Sequence, residues 1–123
     1  MKELNKKNLE DFLNYYHYLH DSYINSINYD IDKMQIDILI NVYWSGEPIL
    51  KEDNTYETNK VKMKMIFEGI ENYINKEIYS YDYIDNAIFK YIKKENKEFI
   101  CFMTDEDDPY FYVVCDKIKY EEL

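Results

Sequence analysis

The 123 residues carry 25 acidic side chains against 15 lysines and no arginine, giving a formal net charge of −10. A chain of this length typically forms one domain, so we expect a single domain over residues 1–123. Because arginine is the side chain best suited to phosphates and guanine edges, its absence and the negative charge argue against nucleic-acid and membrane partners. A basic protein partner is compatible with this charge, but the favoured explanation is that the charge keeps a tyrosine-rich surface soluble. The sequence has neither an apolar run of roughly 20 residues nor a secretory signal, so we expect a cytoplasmic protein.

The chain begins with a predicted helix over residues 5 to about 20, where apolar side chains recur at three- and four-residue spacing. Residues 20–29 change to the pattern of a strand, with Tyr23, Ile27 and Tyr29 on one face. A helix followed directly by a strand is therefore expected.

Two central strands show clear alternation of apolar and polar residues. The first covers residues 36–44, and its period of two places Trp44 in the core, although a tryptophan beside a turn is also typical of an interface anchor. A polar loop is predicted over residues 47–59. The second strand starts at Val61, and Gly69 marks a bend or a bulge in it.

Residues 70–92 fit a helix and a strand almost equally. The polar residues 93–97 indicate a hairpin turn, which favours a strand before it. In an extended segment Tyr79, Tyr81 and Tyr83 would form an aromatic stripe for a partner surface or a ligand groove. Sheet propensity explains the same tyrosines without a function.

The last third of the sequence predicts two buried strands at residues 99–103 and 110–115, since both are short, nearly continuous apolar runs. Residues 105–109, four acids followed by a proline, join them as a loop, so the strands should pair as an antiparallel hairpin. This pairing brings Cys101 and Cys115 close across the ladder, and we expect both to be buried free thiols.

Together these elements predict an α+β fold in which an N-terminal helix packs on a mostly antiparallel sheet of about six strands. Short connections favour pairing of strands in sequential order. Residues 117–123 continue as a strand or a short helical turn.

The cluster of side chains best suited to bind a metal ion is formed by His17, His20 and Asp21. On a helix these positions share one face, so two imidazoles and a carboxylate could bind a metal ion. The favoured interpretation is that His20 or Asp21 ends the helix and ties it to the next strand. We predict no cofactor.

A second candidate is the acidic loop formed by Asp105, Glu106, Asp107 and Asp108. Its carboxylates are suitable ligands for Ca²⁺ or Mg²⁺, but the loop lacks the glycine of a helix-loop-helix calcium site. We expect it instead to meet lysines or arginines of a partner protein, or to be a solvated turn.

Catalytic motifs are not found in the sequence. No serine lies in a nucleophile-elbow motif, and the two glycines, Gly46 and Gly69, are too few for a phosphate-binding loop. With 25 acids, a catalytic carboxylate pair remains open. An enzyme is therefore the less favoured class.

Residues 19–24, followed by Ile27 and the alternation from Ile36 to Val42, resemble a loose group of small uncharacterised bacterial α+β proteins. In that group a His-Asp pair opens the first strand after a helix, and some members look like immunity proteins of bacterial toxin systems. The resemblance implies a non-enzymatic protein-interaction module. The alternatives are a small-molecule or metal-binding domain and a homo-oligomeric structural protein, and the sequence leaves the oligomeric state open.

Overall fold

The computed structural model describes residues 1–76 and 83–123, which form an α+β fold with one short α-helix and a large antiparallel sheet. In chain order the elements are β1 (Lys2–Glu3), α1 (Leu9–Tyr15), a 3-10 turn (His17–Leu19), β2 (Tyr23–Asp30), β3 (Gln35–Val42), β4 (Ile49–Leu50), β5 (Tyr56–Glu57), β6 (Val61–Asn75), β7 (Ile88–Lys94), β8 (Lys97–Met103) and β9 (Phe111–Glu122). No helix in these two ranges is both long enough and apolar enough to cross a membrane.

The main sheet has seven strands in the order β2-β3-β6-β9-β8-β7, with β1 beside β9, while β4 and β5 form a small separate sheet. The expected sequential pairing is wrong at one point, because β9 lies between β6 and β8. The ladder between β6 and β9 runs from the Met63–Glu122 pair to the Asn75–Phe111 pair. These are the two longest strands, and their side-by-side pairing satisfies more backbone groups than a β6–β7 hairpin would.

The helix is shorter than predicted. It ends at Tyr15, because the next turn adopts a left-handed conformation that an α-helix cannot continue. Phe12 is buried, and its ring centroid lies 4.7 Å from that of Tyr120 on β9 and 5.8 Å from that of Phe89 on β7.

A bulge in β2 changes which side chains share a face. The register shifts between Ile24 and Ser26, so Ile24 is buried and Ile27, three residues later, also packs against the core. Tyr23 is exposed and pairs with Asn41. The expectation that Tyr23 and Ile27 lie on one face is therefore wrong.

The main core is a cluster of buried apolar side chains on one face of the sheet. Its largest fully buried members include Leu19, Ile36, Ile38, Ile40, Met63, Met65, Phe67, Phe102, Phe111 and Ile118. The alternation predicted for the central strands is confirmed by this set.

The C-terminal hairpin is also confirmed. Cys101 pairs with Val114 and Cys115 with Ile100, so the two cysteines lie on adjacent rungs but on opposite faces. Cys115 joins the main core, and Cys101 packs in a second cluster on the other face. Both are free thiols.

Two further predictions concern connections. The tight turn between β7 and β8 is confirmed at Glu95 and Asn96, whose φ angles are +53° and +66°. The polar loop over residues 47–59 contains the short β4–β5 hairpin.

Candidate functional site

The segment between α1 and β2 is a left-handed turn. The φ angles are +49° at His17, +57° at Tyr18, +54° at Leu19 and +62° at Asp21. A left-handed conformation costs roughly 1–2 kcal/mol for each residue with a side chain, so neighbouring structure must hold this turn in place.

One support comes from the turn after β3. The N–H of Gly46 donates to the carbonyl of Tyr15 at 2.8 Å, and the His17 imidazole Nε2 lies 2.6 Å from the Gly46 carbonyl. Because a carbonyl oxygen only accepts, His17 is the donor. Gly46 itself has a φ of +66°, which lets the chain turn back toward the helix end.

The second support comes from the segment before β7. The N–H of Ala87 donates to the Tyr18 carbonyl at 2.8 Å, and His20 Nδ1 donates to the Asp85 carbonyl at 2.6 Å. Both histidines of the chain therefore use one N–H to fix this turn.

Asp21 is the polar centre of the site. Its Oδ1 accepts a hydrogen bond from the Tyr83 hydroxyl at 2.6 Å, and its Oδ2 accepts one from Trp44 Nε1 at 3.2 Å. The Tyr83 bond, with smaller contributions from Trp44 and His20, lowers the pKa of Asp21 below its ordinary value. The same bond raises the pKa of Tyr83 to about 12. Asp21 is therefore a carboxylate at neutral pH.

A groove of about 1080 Å³ opens beside this carboxylate. We call it the aromatic groove; its lining includes Asp21, Tyr23, Tyr43, Trp44, Lys60, Lys62 and Tyr83. The three tyrosines are 36–47% exposed.

The floor of the aromatic groove crosses four neighbouring segments. Tyr83 bridges to Tyr23, Tyr23 pairs with Asn41, and Asn41 pairs with Lys62. Three steps of about 4.8 Å give a length of about 14 Å between the outer strands. Asp21 therefore lies at one end, beside Tyr83, and lysines lie at the other.

The lysine end already contains a cation–aromatic contact. Lys60 Nζ lies 4.8 Å from the centroid of the Tyr43 ring. Between the two ends, the Asn41 side-chain amide donates to the Asn25 side-chain oxygen at 2.9 Å. The groove thus combines aromatic faces, amides and opposite charges at its two ends.

The expected place of Trp44 in the core is wrong. Trp44 follows the end of β3, is only half-buried, and has its ring 5.5 Å from that of Tyr43 and 5.8 Å from that of His17. Its indole N–H is directed to Asp21, because the turn at Gly46 breaks the alternation of the strand. The alternative role of Trp44 as an anchor at a surface fits this position.

The structure gives each member of the candidate metal cluster another contact. His17 and His20 bind two different carbonyls, and His20 Nε2 lies 3.5 Å from Asp21 Oδ2. In residues 1–76 and 83–123, no group of three or more His, Cys, Asp or Glu side chains is arranged to hold a metal ion.

The acidic loop lies between β8 and β9 and does not line the aromatic groove. Glu106, Asp107 and Asp108 are exposed and Asp105 is partly exposed. Lys76 forms an ion pair with Asp108. One ion pair with Lys76, outside the loop, therefore joins this largely exposed acidic loop to the end of β6.

Of the predicted tyrosine stripe, Tyr83 lies in the aromatic groove, whereas Tyr79 and Tyr81 are outside the described residues. Tyr23 and Tyr43 were not predicted to be groove residues from the sequence. Their positions could have indicated it, because Tyr23 lies two residues after the candidate ligand Asp21 and Tyr43 lies directly before Trp44.

Three nucleophilic side chains of the described residues are occupied by packing: Ser22 beside the groove, and Cys101 and Cys115 on distant strands. Burial raises the pKa of Cys101 and raises that of Cys115 to about 12, so both thiols are protonated at neutral pH. Ser22 is fully buried, and its Oγ accepts the N–H of Tyr43 at 3.1 Å.

No protein-family model matches the chain, and no curated protein matches its sequence.

Proposed function

We propose that this protein is a cytoplasmic, non-enzymatic protein-interaction module of the immunity-protein type, which binds a basic partner protein. The observation that carries the proposal is the aromatic groove, in which Trp44 and Tyr83 donate to the ionised carboxylate of Asp21 and Tyr23 lines the same groove. Tyrosine and tryptophan are the residues most enriched at the energetic centres of protein interfaces.

The charge of the chain supports a basic partner. A net charge of −10 accelerates the encounter with a positively charged surface. The exposed acids of the loop at residues 105–108 add a second negative feature away from the groove lining. Partner binding would therefore combine long-range attraction with local aromatic contacts.

The state of the titratable groups supports a binding role rather than a catalytic one. His17 and His20 each donate to a backbone carbonyl that fixes the turn, and the thiols of Cys101 and Cys115 are held protonated by burial. These side chains stabilise the fold, and the groove offers hydrogen bonds, aromatic faces and charge.

The test is co-expression of this protein with the products of the genes that flank its own, because toxin and immunity genes are adjacent. We expect one flanking product to co-purify with the chain as a stoichiometric complex and, if it is toxic, to be neutralised by it. The complex should weaken by at least about tenfold between about 50 and 500 mM salt, since screening shortens the reach of charge attraction.

A variant in the acidic loop gives a matched control for the long-range attraction. Replacing Asp105 and Asp107 with asparagine should slow association without changing dissociation, because these acids lie outside the groove lining. If neither flanking product binds, the proposal fails. If a complex forms but is insensitive to salt, the basic-partner part of the proposal fails.

A small-molecule-binding domain is the second candidate, favoured by the volume of the aromatic groove. About 1080 Å³ is close to the upper end of the range for small-ligand sites. A ligand present at about 100 times its dissociation constant would stabilise the fold by about 2.7 kcal/mol. A rise in melting temperature with a small molecule, and none with a protein partner, would favour this candidate.

A further inference from the structure

The aromatic groove contains a cation at one end only. At the lysine end, Lys60 Nζ lies over the ring of Tyr43. At the other end, His20 Nε2 lies 3.5 Å from Asp21 Oδ2, and no lysine of residues 1–76 and 83–123 forms an ion pair with Asp21. The Lys60 contact shows that these aromatic faces accept a cation.

The Asp21 carboxylate can still bind a further donor. Tyr83 and Trp44 occupy one lone pair on each of its oxygens, and a carboxylate has about four acceptor positions. The side chain of Asp21 is 35% exposed. His20 Nε2 lies 3.5 Å from Oδ2, so an acceptor position remains on Oδ1 for a group that approaches from the groove.

We propose that the Asp21 end of the aromatic groove binds an arginine side chain of the partner protein. The guanidinium would donate to the Asp21 carboxylate and stack against the exposed ring of Tyr23 or the half-buried ring of Trp44. Arginine fits better than lysine, because its planar fork binds carboxylates with two donors and its weak hydration lets it lie on aromatic faces.

The dimensions of the groove indicate a protein segment rather than free arginine. About 14 Å separates its two ends, the length of about four extended residues. The amides of Asn25 and Asn41 lie between the ends and can bind a peptide backbone. Lys60 and Lys62 repel a second cation, so the partner residue near them should be neutral or acidic.

This inference rests on the proposed function, but its test does not need the partner. Trp44 is the only tryptophan in the chain, and its indole N–H donates to Asp21. In a spectrum of ¹⁵N-labelled protein, one indole resonance therefore reports on the site. The probe is Nα-acetyl-arginine amide, and the matched neutral probe is Nα-acetyl-citrulline amide, which has nearly the same shape.

We expect arginine amide to shift the indole resonance saturably, with a dissociation constant in the millimolar range, about −4 kcal/mol for one side chain. Citrulline amide should bind at least about tenfold more weakly, since it lacks the charge. Free L-arginine should bind no more tightly than the arginine amide. Tighter binding of the free amino acid would assign the groove to a small molecule and overturn the inference.

Asp21→Asn is the decisive variant. Asparagine tolerates the left-handed conformation that Asp21 adopts, so the turn should be retained. We expect this substitution to lower the affinity for arginine amide at least about tenfold. Asp85→Asn is the control, because it removes one charge next to His20 at a residue that does not line the groove. The affinity of this variant for arginine amide should stay within about twofold of the wild-type value.

Equal shifts with arginine and citrulline amides, or an unchanged affinity in Asp21→Asn, would overturn the inference. The comparison of the two amides needs no variant, so it decides the matter even if Asp21→Asn does not fold. If a flanking gene product bound wild type and Asp21→Asn equally, the arginine site would be wrong and the proposed function would stand. If arginine amide bound and no protein partner did, the proposed function would fail.

Discussion

The hydrogen bond between Tyr83 and Asp21 makes the stability of the fold depend on pH. It lowers the pKa of Asp21 in the folded state, so Asp21 stabilises the fold at pH values above its unfolded pKa of about 3.9. That contribution is lost as the pH falls through the lower, folded value. The bond therefore contributes least to the stability of the fold in strong acid.

Replacing Tyr83 with phenylalanine removes the bond and keeps the ring. We expect Tyr83→Phe to unfold at lower urea concentration than wild type at pH 7, and the difference to shrink as the pH is lowered from about 4 toward 2. Tyr56→Phe is the control, since Tyr56 is 62% exposed. A difference that stays constant over this range would show that Tyr83 acts only through packing.

At the residue scale the sequence predicted part of the site. His17, His20 and Asp21 were recognisable because polar groups cluster there. Their actual roles depend on a left-handed turn that none of the usual signals predicts, since histidine, tyrosine and leucine rarely adopt positive φ. Contacts with distant segments, among them Gly46 and Ala87, hold that turn.

Gly69 is where the long strand β6 changes its inward face. Phe67 and Ile70 are both buried although they are three positions apart, an odd spacing that would place them on opposite faces of a regular strand. Gly69 has a φ of +67°, and a Cβ added there would overlap the side chain of Asp116 on β9. Its backbone conformation and its close neighbour both require glycine.

Gly69→Ala should therefore destabilise the fold more than Gly46→Ala. Gly46 has nearly the same φ, +66°, but an added Cβ would lie 3.5 Å or more from the Tyr15 ring. We expect Gly46→Ala to lower the free energy of unfolding by about 1–2 kcal/mol through the backbone alone. For Gly69→Ala we expect a loss that is larger by at least about 1 kcal/mol. Urea unfolding of both variants measures the difference. Equal losses would show that Asp116 moves aside freely.

At the element scale, β3 and the β8–β9 hairpin were predictable because alternation and short apolar runs are local patterns. The bulge in β2 was not, since no glycine or proline marks Asn25 or its neighbours. Trp44 was misplaced for a related reason: alternation predicts a face only while the strand lasts, and β3 ends at Val42.

At the scale of the whole molecule, the neighbours of β9 were not predictable from short connections. β9 pairs with β6 along its length and with β8 and β1 on its other side. Pairing between strands so far apart in sequence is decided by the apolar area that both bury. Local signals do not contain this information.

The net charge of −10 is also a property of the whole molecule, and it predicts how stability responds to salt. Seven lysine–carboxylate ion pairs link the described residues, all between exposed or partly exposed side chains, and such pairs contribute at most about 1 kcal/mol each. The excess acids repel one another over longer distances. Repulsion should therefore outweigh the pairs when salt is low.

We expect the melting temperature to rise by a few degrees when salt increases from about 10 to about 100 mM, because the Debye length falls from about 30 to about 10 Å. Replacing Asp105, Glu106 and Asp107 with their amides leaves a formal charge of −7 and spares Asp108, which pairs with Lys76. This variant should melt higher in low salt and respond less to added salt. If wild type instead lost stability over this range, the ion pairs would outweigh the repulsion, and the acidic surface would be balanced within the fold rather than available to a basic partner.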